Sequence, residues 1–192
     1  NNVIGRKEPF AYDAVYFDEQ QGVVEATKHL LELGHRNISF VGNTTLPWFS
    51  KRKAAYADVM LQASLQPKVF GDPLEVSGIA YGKSAMAAVY AADPSVTAVV
   101  AGDDEIACGV IHWAHTQKIS VPGDLSVVGF DDIEANEFLA IGLTTVAVPR
   151  AEVGAELVRL LFAKLNSPGT RSKSVMLPTK LVVRESTAEP KR

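Results

Sequence analysis

The sequence predicts an α/β protein built on a doubly wound parallel sheet. From Gly22 onward, short β-branched runs alternate with longer segments of helical period, the order produced when strand-helix-strand crossovers build a parallel sheet. The run Leu125 to Phe130 is almost continuously apolar, which suits a central strand covered on both faces. The chain has 192 residues, 47% of them hydrophobic, enough to bury a substantial core without disulfide or metal staples.

Taken in order, Asp18 is an N-cap for a helix that runs to about Leu33, with Val23, Ala26, Leu30 and Leu33 on one face and Gly34 as its stop. A strand follows at Ile38 to Val41. The pairs Tyr56 with Met60 and Ala55 with Val59 mark a second helix at about Ser50 to Ala63, leading to a short strand at Lys68 to Phe70. A third helix, about Ser77 to Ala91, leads to the strand Thr97 to Ala101, and a fourth covers Asp104 to Gln117. After the strand Leu125 to Phe130 comes another at Thr144 to Val148. Pro149 then opens a helix to about Leu165, with Val153, Leu157, Leu160 and Leu161 on one face. A polar loop, Asn166 to Ser174, precedes a last strand of about Met176 to Arg184. His35, just after Gly34, reads as a cap at the end of the first helix.

Composition closes several classes. With 19 Lys+Arg against 22 Asp+Glu the net charge is -3, so the chain lacks the broad basic surface that grips nucleic acid non-specifically. The single cysteine, Cys108, sits mid-helix among apolar neighbours and reads as packed rather than reactive, which fits a reducing cytoplasm. No apolar run is long enough to cross a bilayer, and Asn1 to Phe10 lacks the order of a signal peptide. The first residue is not methionine, and residue 1 is expected not to be the natural start. No phosphate loop, dinucleotide glycine fingerprint or nucleophile elbow occurs, and no cofactor is expected.

Chemistry is sought beyond the carboxyl ends of the strands, where ligands bind open parallel sheets. Three loops there carry charge directly after an apolar strand: Arg52 within Trp48 to Lys53, Asp103 and Asp104 after Ala101, and Asp131 and Asp132 after Phe130. Carboxylates accept hydrogen bonds from vicinal hydroxyls and a guanidinium offers a planar fork of donors, so the set suits a small polyhydroxylated or otherwise polar ligand. Trp48 and Phe49 are candidates for an apolar wall. The residues alone leave open that Asp103 or Asp104 only caps the next helix, that Asp131 and Asp132 make turn bonds, and that Arg52 lies on an exposed helix surface. Paired carboxylates also occur in glycosidases and magnesium-dependent phosphoryl-transfer sites, but the carboxylate pair and ligand order those require are not recognisable here. His112 and His115, three apart with no accompanying carboxylate pattern, read as helix-surface histidines.

Several motifs, in this order, resemble the effector-binding core of the lactose-repressor/galactose-repressor family of bacterial regulators. They are Gly22-x-x-x-Ala26-x-x-His29-Leu30 running into Leu33-Gly34-His35-Arg36-Asn37-Ile38; Arg52-x-x-x-Tyr56; Ala101-Gly102-Asp103-Asp104-Glu105-Ile106-Ala107-x-Gly109; Val121-Pro122-Gly123-Asp124-Leu125-Ser126-Val127-Val128-Gly129-Phe130-Asp131-Asp132; Leu143-Thr144-Thr145-Val146; and Leu177-Pro178-x-x-Leu181-Val182-Val183-Arg184-Glu185-Ser186-Thr187.

The resemblance implies a periplasmic-binding-protein-like fold of two similar subdomains, of which this chain holds mainly the second. Residues 1–17 would be a remnant of the first subdomain and crossover, 18–143 the effector-binding subdomain, 144–175 a crossover strand and helix belonging to the first, 176–187 the returning last strand and 188–192 a tail. It implies effector contacts at Arg52, at Asp103 where relatives carry asparagine, at Asp131, and at Val76 where relatives place an aromatic platform, with Trp48 or Phe49 substituting for that ring. It implies a homodimer through the helix containing Cys108 and through Phe138 and Leu139. The stripe on the Ala151 to Leu165 helix would be left exposed unless it re-docks or pairs with another chain. The function implied is sensing of a small polar effector, without catalysis, that controls operator binding by an absent helix-turn-helix. The alternative is a sugar-binding protein of a transport system.

Overall fold

The computed structural model describes residues 12–43, 46–71, 78–134, 136 and 140–191. Among the described residues, five helices and eight strands form in the order β1 (Ala14–Phe17), α1 (Glu19–Glu32), β2 (Ile38–Val41), α2 (Pro47–Gln62), β3 (Lys68–Phe70), α3 (Ile79–Ala92), β4 (Ala98–Ala101), α4 (Asp104–Thr116), β5 (Ser126–Asp131), β6 (Thr144–Ala147), α5 (Arg150–Asn166), β7 (Ser174–Leu177) and β8 (Lys180–Val182). Local chemistry explains the boundaries. Asp18 caps α1 by accepting from the Gln21 N–H, and Gly34 takes φ 102° just after the last turn, a conformation glycine adopts without strain. Pro47 opens α2, where its fixed φ suits the first turn and its missing N–H costs nothing.

Six strands form one sheet in the order β3-β2-β4-β5-β6-β8, parallel except for β8. β2 and β4 are buried along their whole length, as a sheet covered on both faces requires. Successive side chains face opposite sides. Ile38, Phe40, Val100, Val128 and Phe130 meet Val23, Leu30, Tyr56 and Met60 from α1 and α2. Val41, Val99, Ala101 and Val127 meet Tyr81, Met86, Ile106 and Val110 from α3 and α4. Tyr56 is fully buried, yet its hydroxyl donates to the Ile38 carbonyl and accepts from the Lys68 N–H, tying α2 to β2 and β3. Burial pushes its pKa up to about 12. The doubly wound parallel sheet expected from the sequence is therefore present, with the chain reversing its direction of growth between β2 and β4.

β1 and β7 form a separate parallel pair in register Ala14 with Ser174 to Phe17 with Leu177, and α5 packs on β1. Only Leu160 of α5 is fully buried. Val153 is half-buried, and Leu157 and Leu161 of the expected stripe are exposed together with Val158, Phe162 and Leu165.

Three expectations change. The single last strand at Met176 to Arg184 is two strands in different sheets: Pro178 has no N–H for a ladder, and Thr179 turns its hydroxyl onto the Asp18 carbonyl between them. The helix expected from Ser50 starts at Pro47, which places Trp48 and Phe49 on α2 together with Arg52. His35 does not cap α1 with its side chain. Its ring is 1% exposed, with Nε2 donating to the Ala188 carbonyl and Nδ1 meeting the Thr97 hydroxyl, and burial lowers its pKa.

Candidate functional site

The reversal between β2 and β4 leaves a crevice at their carboxyl ends, the place where open α/β sheets bind ligands. Arg52 reaches into it from α2. The residue is 4% exposed, and its Nη1 donates to the Gly102 carbonyl at 2.6 Å, just beyond β4. Glycine at 102 permits this approach, since a Cβ there would lie 2.2 Å from the Phe49 ring. The guanidinium carbon stands 3.7 Å from the centre of the Phe130 ring, a cation-π contact that partly offsets lost hydration. Burial nevertheless lowers the Arg52 pKa, opposed by the charges of Asp131, Glu19, Asp103 and Asp104. An exposed helix-surface role for Arg52 is excluded.

Asp131 ends β5 and faces Arg52, with Oδ1 3.8 Å from Nη2. That separation is too long for a hydrogen bond and leaves both groups able to bond a third partner between them. Arg52 Nε, also buried, has no hydrogen-bond partner among the described residues. Desolvation pushes the Asp131 pKa up to about 6, with Arg52 lowering it and the charges of Asp104 and Asp103 raising it. The Asp131 side chain remains one-third exposed and lines an open cavity of about 420 Å³ with Phe17, Ile133, Val148, Arg150 and Val153. A larger cavity of about 540 Å³ lies between β3 and α3, and among the described residues no charged side chain lines it.

Asp103 is the N-cap of α4, accepting from the Ile106 N–H at 2.7 Å, so the capping alternative holds for it. It remains beside the crevice, half-buried, where its charge acts on both Arg52 and Asp131. Asp104 is 1% exposed and accepts from the Thr145 hydroxyl, the Ile133 N–H and the Asn136 amide, which removes it from the ligand edge. Burial is the main cause of its raised pKa. Asp132 pairs with Arg184 at 2.8 Å.

Phe49 does not form a wall of the crevice: it is 1% exposed in the α3/α4 core, where Gly102 and Val41 adjoin it, and it backs Arg52 at 5.7 Å. Trp48 leans on the same core, half-buried, with its ring 6.4 Å from that of Phe49. Val76, Phe138 and Leu139 lie outside the described residues. Cys108 is half-buried on α4, its thiol pKa pushed up to about 11 by burial. His112 and His115 are exposed on α4.

Two residues at the site were not among the expected site residues. Arg184 and Arg150 each bond the turn after β5: Arg184 through Asp132, Arg150 through the backbone carbonyls of Asp131 and Asp132. A basic residue directly after Pro149, at a helix start that favours acidic ones, is the signal that marks Arg150.

Residues 27–187 match the family model described as a periplasmic binding protein-like domain. Catabolite control protein A of Priestia megaterium is 32% identical over 180 residues, 91% of this chain and 53% of that protein. The HTH-type transcriptional regulator DegA of Bacillus subtilis is 34% identical over 183 residues, 92% of this chain and 52% of that protein. The chain thus spans about half the length of the curated relatives it matches. A LacI family transcriptional regulator from Enterococcus faecium, solved with bound ribose, superposes with a TM-score of 0.86 at 28% identity, covering 96% of this chain and 69% of that one. By fold, by family match and by these relatives, the chain belongs to the periplasmic binding protein-like family and is an effector-binding domain of the LacI/GalR type.

Proposed function

We propose that this chain is the ligand-sensing regulatory domain of a bacterial transcriptional regulator, with Arg52 and Asp131 as its principal effector contacts and Asp103 and Trp48 beside them. The observation that carries the reading is the Arg52–Asp131 pair. A buried guanidinium and a carboxylate stand 3.8 Å apart at the sheet's switch point with bonding capacity to spare. A sugar or polyol satisfies both at once, one hydroxyl accepting from Arg52 while its neighbour donates to Asp131. The ribose bound to the Enterococcus faecium relative supports this ligand class.

In this reading β1, β7 and α5 belong to the first subdomain, and residues 18–143, in the second, form the opposite wall of the cleft. The effector acts by population shift, binding one relative arrangement of the two subdomains better than the other and so altering operator affinity of a helix-turn-helix segment outside this chain. The protein works in the cytoplasm as a homodimer, through Cys108 on α4 and Phe138 and Leu139, and performs no catalysis. The regulator names of the relatives favour this over transport.

The test is a thermal-shift panel of monosaccharides, sugar phosphates, polyols and nucleosides on this chain and on its Asp131→Asn variant. Ligand binding to the native state raises Tm. At least one compound is expected to raise Tm for the parent and not for the variant. Equal shifts for both would place the site elsewhere.

A further inference from the structure

Helix α5 begins with a residue that its own helix disfavours. Its N-cap, Pro149, offers no side-chain bond, and Arg150 puts a cation at the positive end of the macrodipole. The reason for this residue is therefore tertiary. Arg150 donates from Nη1 to the Asp132 carbonyl at 3.0 Å and from Nη2 to the Asp131 carbonyl at 2.5 Å.

The two residues it grips have φ 112° at Asp131 and 52° at Asp132, a left-handed region that side chains with a Cβ seldom enter. Such backbone persists only where its surroundings over-determine it, and it collects at ligand sites. Here the restraints come from three directions. Arg184 Nη2 holds Asp132 Oδ1 at 2.8 Å. Asp104 holds the Ile133 N–H at 2.9 Å and the Asn136 amide at 2.8 Å. Arg150 holds the two carbonyls, and of the three it is the one supplied by α5.

We propose that Arg150 is the positioning residue of the effector site: its guanidinium fork fixes the left-handed turn that aims the Asp131 carboxylate at Arg52, and so makes α5 part of the ligand-binding edge. This rests on the reading of Asp131 as an effector contact. Two of its five N–H groups are committed to the Asp131 and Asp132 carbonyls, and through them Arg150 acts on the position of the Asp131 carboxylate. A lysine keeps the charge but cannot span two acceptors with a planar fork.

The experiment needs no ligand. Amide exchange and the carbon-13 titration of the Asp131 carboxyl are compared in the parent chain, Arg150→Gln and Arg150→Lys. Arg150 is exposed, so the fold is expected to survive, and the amides of Val127 and Val128 in β5 report on it. Ile133 is expected to exchange about tenfold faster in both variants while Val127 and Val128 do not change. The Asp131 carboxyl is expected to titrate higher in Arg150→Gln, which loses a nearby positive charge, and close to the parent in Arg150→Lys. Exchange at Ile133 within about twofold of the parent, or acceleration shared equally by Val127 and Val128, would overturn the proposal. Failure of the effector reading itself shows separately, as a ligand that binds the parent and Asp131→Asn equally.

Discussion

Two regions of this molecule use similar residues and reach opposite degrees of burial. In the six-stranded unit, α1, α2 and α4 each bury six residues against the sheet and β2 and β4 are wholly enclosed. In the β1-β7-α5 unit, a helix of seventeen residues carrying Val153, Leu157, Leu160, Leu161, Phe162 and Leu165 buries only Leu160, and β7 alternates between exposed and half-buried. The stripe on α5 is as apolar as that on α1. The difference lies in what stands opposite: α1 faces Phe130 and Val146 of a broad sheet, whereas α5 faces a two-stranded ribbon. Periodicity declares that a helix has an apolar face, and topology decides whether anything covers it.

That contrast is sharpest as a difference in stability. Truncation of Phe40 or Leu30 to alanine, both fully enclosed, is expected to cost about 3–5 kcal/mol in urea unfolding. Leu161→Ala and Phe162→Ala on α5 are expected to change stability by no more than about 0.5 kcal/mol. A cost above about 2 kcal/mol at either α5 position would show that the face is covered in solution.

Within the six-stranded unit, Asp104 is a buried polar anchor where α4, β6 and the segment after β5 meet. Asp104→Ala removes the acceptor for the Thr145 hydroxyl, the Ile133 N–H and the Asn136 amide, and is expected to cost about 3 kcal/mol. Tyr56→Phe, within the six-stranded unit, deletes one hydroxyl that serves the Ile38 carbonyl and the Lys68 N–H, at about 1 kcal/mol. Chemical denaturation ranks the pair, and a reversed order would move the anchor away from Asp104.

A further expected effect is the pH dependence of Asp131. Its folded pKa, about 6, lies above the ordinary 3.8, so the folded state holds this proton more tightly than the unfolded chain. Its contribution is fully present below pH 4 and is lost as the pH rises through 6. The comparison with Asp131→Asn isolates it: stability of the parent relative to the variant falls between pH 4 and 6 and is flat above. If Asp131 accepts from the effector as proposed, effector affinity is expected to run the other way, weakening below pH 6 as the carboxylate is protonated.

The six-stranded unit was largely legible from local signals. The strands Ile38 to Val41 and Lys68 to Phe70 and the Asp18 cap fall where pattern and capping chemistry place them, because each is decided within a few residues. Arg52, Asp103 and Asp131 were legible as charges placed after apolar strands. What was not legible depends on distant partners: Asp104 and Asp103 are adjacent and chemically identical, yet one is locked under β6 and the other stands at the crevice. The burial of Phe49 follows from Gly102, fifty-three residues away, and the division of the last strand from which of two sheets each half can reach.

The central claim is that ligand is held between Arg52 and Asp131 at the carboxyl edge of the sheet. Its most direct test is amide chemical-shift mapping of this chain titrated with the strongest compound from the thermal-shift panel. The account predicts that the largest shifts fall on Gly102, Asp103, Asp131 and Asp132 and that Arg52→Lys abolishes them. Shifts centred instead on Gly71 and Ser84, at the cavity between β3 and α3, and surviving Arg52→Lys, would contradict it.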